Sequence, residues 1–415
     1  MIDSAYIRQN PNTVVDNLAS RGHDFDIEKF LNLDEKKRGS QKSLEDLKAQ
    51  RNVFSKEYGI LKKNGSSTEA LDQKINNLKS LLANEEIKFK DAQLKLDDLL
   101  STVPNLVSDS TPIGKDEKEN KVIRKSSDPV ITESPDHLEI TNKISTEIAA
   151  KLAGARFSVL ENELATLQRA LVQLMLSEAQ ANGYKEMYVP YIANKESLFS
   201  TGQLPKFEED LFKISDEYYL IPTAEVPLTN LHRGEIIDLS SGPFKYTAHT
   251  PCFRSEAGSY GQDTRGLIRQ HQFEKVEIVQ LVDPSTSFKA LEEMTSHAEN
   301  ILKLLELPYQ VVELCSGDLG FSSAKTYDLE VWLPSQAKYR EISSCSNCLD
   351  FQSRRAKIRT KINGETAYIH TLNGSALAAG RALIAVVENH YDRNHNRINI
   401  PTSLRDYLKI DYINL

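Results

Sequence analysis

Two short runs of residues carry the strongest structural signal in this chain. They are Thr250-Pro251-Cys252-Phe253-Arg254-Ser255-Glu256 and Leu267-Ile268-Arg269-Gln270-His271-Gln272-Phe273-Glu274-Lys275-Val276-Glu277, joined by the glycine-containing segment 257–266. Because side chains alternate across a β-strand, Arg254 and Glu256 would share one face of the first run. The residues on one face of the second run would be Arg269, His271, Phe273, Lys275 and Glu277. We predict that the two runs pair as an antiparallel hairpin.

The predicted hairpin would present two arginines, an aromatic ring and two carboxylates on a single sheet face. A guanidinium fork fits phosphate oxygens with two hydrogen bonds, and a phenyl ring can stack on a flat base. The pattern therefore indicates a nucleotide site built on an antiparallel sheet. The competing interpretation is a solvated sheet face with alternating salt bridges.

A second candidate segment, Arg340-Glu341-Ile342-Ser343-Ser344, places hydroxyl groups beside a carboxylate. Oxygen ligands of this kind bind Mg²⁺ next to nucleotide phosphates. Glu341 and Ser344 have opposite parity in a regular strand, so a β-bulge or a strand end is needed if both ligate one metal ion. An edge strand with polar side chains explains this segment equally well.

A third candidate segment is His370-Thr371-Leu372-Asn373-Gly374-Ser375, which leads into a small, apolar helix predicted over residues 376–390. A helix of this composition is buried against a sheet. Arg381 is its anomaly, because a buried guanidinium must pair with a carboxylate or meet a ligand. We favour a ligand over a structural salt bridge.

The first hundred residues have a different pattern. Apolar residues recur at steps of three and four from Phe30 to Leu61, with Lys37, Ser40 and Arg51 as exceptions, and again from Leu71 to Leu99 with Glu85 as the exception. These heptad series, separated by a turn at Asn64-Gly65, predict an antiparallel two-helix coiled-coil arm over residues 27–100, on the order of 60 Å long. Residues 26–100 hold 15 Lys and Arg against 14 Asp and Glu. The arm is therefore the most cation-rich surface, suited either to a polyanion or simply to solvent.

Composition limits the class of protein. The chain has 415 residues and a formal net charge of −8, which excludes a uniformly basic nucleic-acid-binding protein but not a local basic patch. There is no signal-peptide core and no run of 18 apolar residues, so we expect a cytoplasmic protein without membrane association. The four cysteines are too few for a disulfide framework. No structural zinc is expected at Cys345-Ser346-Asn347-Cys348, because two further ligands at suitable spacing are missing.

The fold class predicted from these patterns is α+β. It combines an antiparallel β-sheet catalytic domain, flanked by helices, with the N-terminal coiled-coil arm. The predicted regions are an N-terminal domain over 1–103, a polar, proline-containing linker over 104–134 and the sheet domain over 135–415. A helix is expected over 157–181, followed by an edge strand at 187–189 before Pro190.

These residues resemble the bacterial type of seryl-tRNA synthetase, within the class II aminoacyl-tRNA synthetases. Phe253-Arg254-Ser255-Glu256, with Arg269 and Phe273, is similar to the second motif of that class. Gly380-Arg381 is similar to the third motif, and the predicted helix 157–181 leading to Pro190 is similar to the first. Seryl identity is indicated by segments 201–207, 222–227, 325–332, 341–347 and 373–375. The arm resembles the tRNA-binding arm of the family.

The resemblance implies ATP-dependent ligation of L-serine to tRNA(Ser) through a seryl-adenylate, in a homodimer, with the selenocysteine tRNA as a second candidate substrate. The implied catalytic residues are Arg254, Glu256, Arg269 and Arg381. The implied ATP site contains Arg254, Ser255, Glu256, Arg269, Phe273, Glu341, Ile342, Ser343, Ser344 and Arg381, with Mg²⁺ on Glu341 and Ser344. The implied serine site contains Thr223, Ala224, Glu225, Glu277 and Ser375. The chain departs from the family near residues 137–156, where its connector is shorter.

Two other functions fit parts of the pattern. A synthetase paralogue that loads an amino acid onto a carrier protein would not need the long arm. A coiled-coil scaffold with an inactive sheet domain would not need Arg254, Glu256, Glu341 and Arg381 together. ATP–pyrophosphate exchange with each amino acid separates the three functions.

Overall fold

The computed structural model describes residues 1–129, 134–257 and 265–415, which divide into two units. The helical unit comprises residues 2–19 and 23–103, and the sheet unit comprises Met1, residues 20–22 and the residues from Pro104 onward. In the described parts of the chain, none of the helices combines the length and the apolar character that crossing a bilayer requires.

The helices of the helical unit are α1 (Ser4–Gln9), α2 (Pro11–Ala19), α3 (Ile27–Lys63) and α4 (Glu69–Ser101). Helices α3 and α4 form the predicted hairpin. With 37 and 33 residues, they are about 55 and 50 Å long. The Asp26 carboxylate caps α3 by accepting the backbone N–H of Lys29, and Gly65, with φ of +66°, allows the reversal between the helices.

A narrow apolar seam holds the hairpin together. Leu44, Leu78 and Leu82 are buried in one cluster, with further apolar side chains packed against it. The predicted heptad positions are all buried or partly buried except Arg51, which is exposed. The heptad pattern therefore predicted both the pairing of the helices and the face that each buries.

The helices of the sheet unit are α5 (His137–Ile140), α6 (Thr146–Ala153), α7 (Asn162–Ala181), α8 (Lys195–Thr201), α9 (Glu225–Thr229), α10 (Ser287–Leu304), α11 (Phe351–Ala356), α12 (Ala379–Asn389) and α13 (Thr402–Leu408). The strands are β1 (Lys121–Lys125), β2 (Ile144–Ser145), β3 (Val159–Leu160), β4 (Lys185–Glu186), β5 (Ile192–Asn194), β6 (Tyr218–Leu220), β7 (Phe244–Phe253), β8 (Gln272–Val282), β9 (Tyr309–Glu313), β10 (Lys325–Leu333), β11 (Lys338–Asn347), β12 (Arg359–Ile362), β13 (Glu365–Tyr368), β14 (His370–Ala378), β15 (Tyr391–Asp392), β16 (Arg397–Asn399) and β17 (Tyr412–Asn414).

The main sheet, as far as the described residues define it, has eight strands in the order β1-β9-β10-β11-β14-β8-β7-β4. Strands β7 and β8 form the predicted antiparallel hairpin, with Cys252 opposite Phe273 and Ala248 opposite Glu277. The edge strand β4 runs parallel to β7. It lies two residues earlier than predicted.

The two faces of the sheet differ in character. Helices α7, α10 and α12 contribute most of the core on one face, where Val276 and Ile278 of β8 are buried. Lys275 and Glu277, at the alternate positions of the same strand, point to the opposite side. The mixed α+β architecture agrees with the prediction, and the polar face of β8 is the floor of the site described below.

The structure also differs from the prediction in other segments. The helix predicted over 157–181 corresponds to α7, which begins at Asn162, after the short strand β3 (Val159–Leu160). Residues 104–125 were expected to be linker, but β1 pairs with β9, and Arg124 binds Glu299 of α10 at 2.6 Å. The strand was missed because β1 is a mostly exposed edge strand, which has no apolar alternation. Residues 130–133 of the same predicted linker lie outside the described residues. The helix predicted over 376–390 begins at Ala379, because β14 continues through Ala378.

Candidate active site

Two adjoining cavities open over the polar face of the sheet. The first cavity, of about 550 Å³, is lined on one side by residues 320–323 and on another by Phe207 and Asp210. The second cavity, of about 500 Å³, is lined by residues of β8, β11 and the start of α12. The residues that line both are Thr223, Glu225, Arg254, Glu256, Arg269, Gly320 and Asn373.

The second cavity collects side chains from sequence-distant segments. Arg254, Phe273, Glu341 and Arg381 all line it. A guanidinium, a phenyl ring and a carboxylate therefore meet in one concave site, as the sequence predicted.

Arg254 and Glu256 reach the cavities from a loop rather than from a strand. Strand β7 ends at Phe253, and the backbone N–H of Arg254 donates to the His271 carbonyl at 2.9 Å. Glu256 has φ of +53° and binds the Arg269 guanidinium at 2.7 Å. The Arg254 guanidinium lies 5.1 Å from the centre of the Phe273 ring. Strand parity placed Arg254 and Glu256 on one strand face, but both residues follow the end of β7, and Arg269 precedes the start of β8. The turn of the chain after Phe253 brings Glu256 to Arg269.

Strand β11 contains the bulge that a shared metal site would require. Leu329 of β10 lies opposite Ser343, and the next residue, Glu330, lies opposite Glu341, so Ile342 is the extra residue. The bulge changes the parity and turns Glu341 and Ser344 to the same side of the strand.

Arg381 lies in the first turn of α12, not in the middle of a helix, and its side chain is 29% exposed. Its Nη1 donates to the Glu341 carbonyl at 2.6 Å and lies 3.3 Å from the Glu341 carboxylate. Partial desolvation opposes ionisation of the Glu341 side chain, which is 50% exposed, but the charges of Arg381 and Arg254 outweigh this effect and lower its pKa. Arg381 thus both pairs with a carboxylate and faces the cavity.

A buried polar network lies at the floor of the second cavity. The Thr223 hydroxyl donates to Glu277 Oε2 at 2.8 Å and accepts from the Lys275 ammonium at 3.0 Å. Lys275 Nζ also lies 2.5 Å from Glu277 Oε2, and the Glu277 residue is only 2% exposed. Strand parity places Lys275 on this face of β8, but the sequence pattern alone gives Lys275 no role.

Glu225 is a second carboxylate in the same region. Its Oε1 accepts from Gln352 at 2.6 Å and from Asn373 at 3.0 Å. Burial, reinforced by the negative charge of Glu277, raises the pKa of Glu225 to about 7. Sequence reasoning missed Gln352, which comes from α11. Asn373 could have been found, because it lies next to Gly374-Ser375.

Some predicted site residues support the cavities without lining them. The Ser255 hydroxyl donates to the Glu209 carbonyl, the Ser343 hydroxyl donates to the Ser375 carbonyl at 2.6 Å, and Ala224 is fully buried. The two hydroxyl groups are already hydrogen-bonded and the Ala224 methyl group is buried. Only the backbone groups of these residues are left for a ligand. Ile342, Ser344 and Ser375 line the second cavity.

The thiols near the site are buried and unpaired. Burial raises the pKa of Cys345 to about 12 and that of Cys348 further. Both are therefore neutral thiols at pH 7.

The sequence matches the seryl-tRNA synthetase N-terminal domain over residues 1–107 and the class II core domain of the G, H, P, S and T synthetases over residues 206–390. The serine–tRNA ligase of Saccharophagus degradans is 52% identical, over 98% of this chain and 98% of its own length. That of Coxiella burnetii is 50% identical, over 99% of this chain and the whole of its own. The chain belongs to the seryl-tRNA synthetase family.

Solved structures of the family share the fold. Seryl-tRNA synthetase from Pyrococcus horikoshii, solved as a complex with ATP, has a TM-score of 0.89 and 34% identity, covering 100% of this chain and 99% of its own. The seryl-tRNA synthetase resemblance, the α+β fold and the coiled-coil arm are thus confirmed. The chain is a class II aminoacyl-tRNA synthetase, and its reaction is the serylation of tRNA.

Proposed function

We propose that ATP and L-serine react in the second cavity and that the 3′ end of tRNA(Ser) enters through the first. The observation that supports this proposal is the Thr223–Lys275–Glu277 network, which lies in the same cavity as Arg254, Phe273 and the Glu341–Arg381 pair. A fixed set of polar groups for a small amino acid adjoins a set suited to a nucleotide. Serine activation needs both substrates bound next to each other in one site.

The first step forms the seryl-adenylate. A serine carboxylate oxygen attacks the α-phosphorus, the bond from that phosphorus to the bridging oxygen breaks, and pyrophosphate leaves with the electron pair. Arg254 stabilises charge on the α-phosphate and Arg269 binds the outer phosphates. The adenine ring stacks between Phe273 and Arg381. Because the carboxylate is already a nucleophile, positioning and charge stabilisation supply the catalysis.

Selectivity for serine rests on buried acceptors. Glu277, oriented by Thr223 and Lys275, accepts the serine hydroxyl, and Ser375 lies beside it. Alanine would leave one hydrogen-bonding position of this carboxylate unfilled, a mismatch that can cost about 10⁴-fold in kcat/KM. Glu225 binds the serine ammonium.

Mg²⁺ fits the residues at the β11 bulge. The bulge turns Glu341 and Ser344 to one side, and Asp328 Oδ1, on the neighbouring strand, is buried without a hydrogen-bond partner among the described residues. Within those residues there is no cluster of three or more His, Cys, Asp or Glu placed to hold a metal ion. Two oxygen ligands suffice for Mg²⁺, which completes its coordination with phosphates and water. The ion would neutralise phosphate charge as pyrophosphate forms.

The second step transfers serine to tRNA. A ribose hydroxyl of the terminal adenosine attacks the seryl carbonyl carbon, and the bond from that carbon to the phosphate oxygen breaks. AMP leaves with the electron pair, and its phosphate takes the hydroxyl proton. The first cavity suits the acceptor because it shares Thr223, Glu225 and Arg254 with the second and has room for a nucleoside.

The hairpin α3–α4 recognises tRNA by shape and phosphates. Exposed lysines lie along both helices, among them Lys36, Lys48, Lys74 and Lys79. Such contacts read the form of RNA rather than its sequence. Charging of the selenocysteine tRNA stays a prediction.

The proposed assembly is a cytoplasmic homodimer. Tyr188 is 91% exposed and Ile192 is 50% exposed, close to the edge strand β4. Exposed apolar side chains beside the last strand of the sheet, as the described residues define it, support pairing of two copies there.

Substitution of Glu277 tests the serine site. In ATP–pyrophosphate exchange, Glu277→Gln should raise the KM for serine by about 10–100-fold, because a charged hydrogen-bond acceptor is lost. The KM for ATP should stay unchanged. Ser255→Ala is the control, since that hydroxyl lines neither cavity and already donates to the Glu209 carbonyl. Equal increases in both KM values for Glu277→Gln would contradict the assignment.

A further inference from the structure

One wall of the first cavity is a short segment between β9 and β10, here called the wall segment, residues 319–323. Residues 320–323 line the first cavity, and only Gly320 of this segment also lines the second. The segment is not part of a strand. Its backbone carbonyls must therefore find partners outside the sheet ladder.

Arg21 supplies three of those partners. Its Nη2 donates to the carbonyls of Leu319 at 3.0 Å and Gly320 at 2.7 Å, and its Nη1 donates to that of Ser323 at 3.0 Å. Burial lowers the pKa of Arg21 to about 10, which still leaves it charged at pH 7. A planar guanidinium can span both ends of a five-residue turn in this way, whereas a lysine ammonium donates from a single point.

Asn105 supplies the other two partners. Its backbone N–H donates to the Phe321 carbonyl at 2.9 Å, and its side-chain amide donates to the Ser322 carbonyl at 2.9 Å and to the Cys348 carbonyl at 2.8 Å. The Asn105 carbonyl in turn accepts from Arg21 Nη1 at 2.6 Å. All five carbonyls of the wall segment are thus held by two residues that also hold each other.

We propose that Arg21 and Asn105 are positioning residues for the transfer of serine to tRNA, because they fix the wall segment and hence the shape of the first cavity. The inference rests on the proposed placement of the tRNA 3′ end in that cavity. Loosening the clamp would shift the surface against which the terminal adenosine is held. A misplacement of about 1 Å at a reacting centre can cost about 100-fold in rate. The second cavity touches the wall segment only at Gly320, so adenylate formation should be spared.

Two variants remove different parts of the clamp. Arg21→Lys keeps the charge but cannot span the wall segment, and Asn105→Asp keeps the size but replaces the donor amide with acceptor oxygens. With preformed seryl-adenylate and saturating tRNA(Ser), we expect single-turnover transfer to slow by about 10–100-fold in each. The KM values for serine and ATP in pyrophosphate exchange, and the KM for tRNA, should stay at wild-type values.

Arg124→Gln is the matched control. Arg124 also makes an ion pair inside the sheet unit, between the edge strand β1 and Glu299 of α10, but it lines neither cavity. Its loss should lower the unfolding temperature while leaving the transfer rate unchanged. The inference is overturned if transfer in the folded clamp variants is unchanged, or if transfer and pyrophosphate exchange fall by the same factor. Should Arg21→Lys fail to fold, Asn105→Asp decides the question. A wild-type protein that exchanges pyrophosphate with an amino acid other than serine would instead refute the proposed function.

Discussion

The hairpin α3–α4 carries ion pairs in solvent, whereas the floor of the second cavity carries one that is buried. On the hairpin, Lys95 and Asp91 pair at 2.7 Å with both side chains 60% exposed, and such a pair contributes about 0.3–0.5 kcal/mol. In the cavity, Lys275 and Glu277 pair with side chains only 10% and 2% exposed. Removing one partner of a buried pair costs about 3–5 kcal/mol. The hairpin can therefore distribute its function over many weak contacts, whereas the cavity concentrates it in a few costly ones.

Removing the hairpin is the strongest test of this contrast. Replacing residues 35–95 by a short glycine connection should reduce tRNA charging below detection, because the proposed phosphate contacts are lost together. Serine-dependent pyrophosphate exchange should be retained, since the cavities are built from residues outside the deletion. Charging that survives the deletion would make the hairpin a structural element only. A carrier-protein substrate would be indicated by charging of that carrier by the truncated enzyme.

The buried carboxylate Glu225 should make the KM for serine depend on pH. This effect is smaller than that of removing the hairpin. Burial, and then the negative charge of Glu277, raises the pKa of Glu225 to about 7, while the hydrogen bond from Gln352 and the charges of Lys275 and Arg254 oppose the shift. If the ionised form binds the serine ammonium, the KM for serine should rise about tenfold between pH 8 and pH 6, following the ionised fraction. The Glu225→Gln variant should lack this dependence. An unchanged KM across this range in the wild type would argue against the assigned role.

The same group predicts a stability effect of definite sign. The folded pKa of Glu225 lies above the ordinary value of 4.5, so the folded state holds more protons than the unfolded state between about pH 4.5 and 7. Its contribution to the free energy of unfolding is therefore present at low pH and is lost as pH rises through 7. The free energy of unfolding, measured with urea at several pH values, should fall more steeply between about pH 4.5 and 7 in the wild type than in Glu225→Gln.

A single hairpin lysine should have the smallest effect. Lys79→Gln removes one exposed cation, and the KM for tRNA should rise by only about twofold, with a slightly weaker dependence on salt. Filter binding at several salt concentrations measures both quantities. A tenfold or larger rise in the KM for tRNA would identify Lys79 as a specific contact. The hairpin would then not distribute its function over many weak contacts.

The two regions also differ in how well the sequence predicted them. The hairpin was predicted closely because heptad periodicity and the Asn64-Gly65 turn are local signals. Strand parity predicted the shared face of Phe273, Lys275 and Glu277 on β8. It also indicated that a bulge or a strand end is needed if Glu341 and Ser344 hold one metal ion, and the structure has a bulge at Ile342. Strand β1 was missed, since an exposed edge strand has no periodic apolar pattern. Gln352 was missed because only the folding of α11 against the sheet brings it to Glu225.

The hydrogen bond between Arg21 and Asn105 has a consequence for how this chain can vary. It ties together the residues just before and just after positions 23–103, so the chain returns to the sheet unit where it left it. Extra heptads inserted in register into both helices would lengthen the hairpin without changing the distance between its two points of attachment. The length of the hairpin can therefore change in evolution without any change in the catalytic fold.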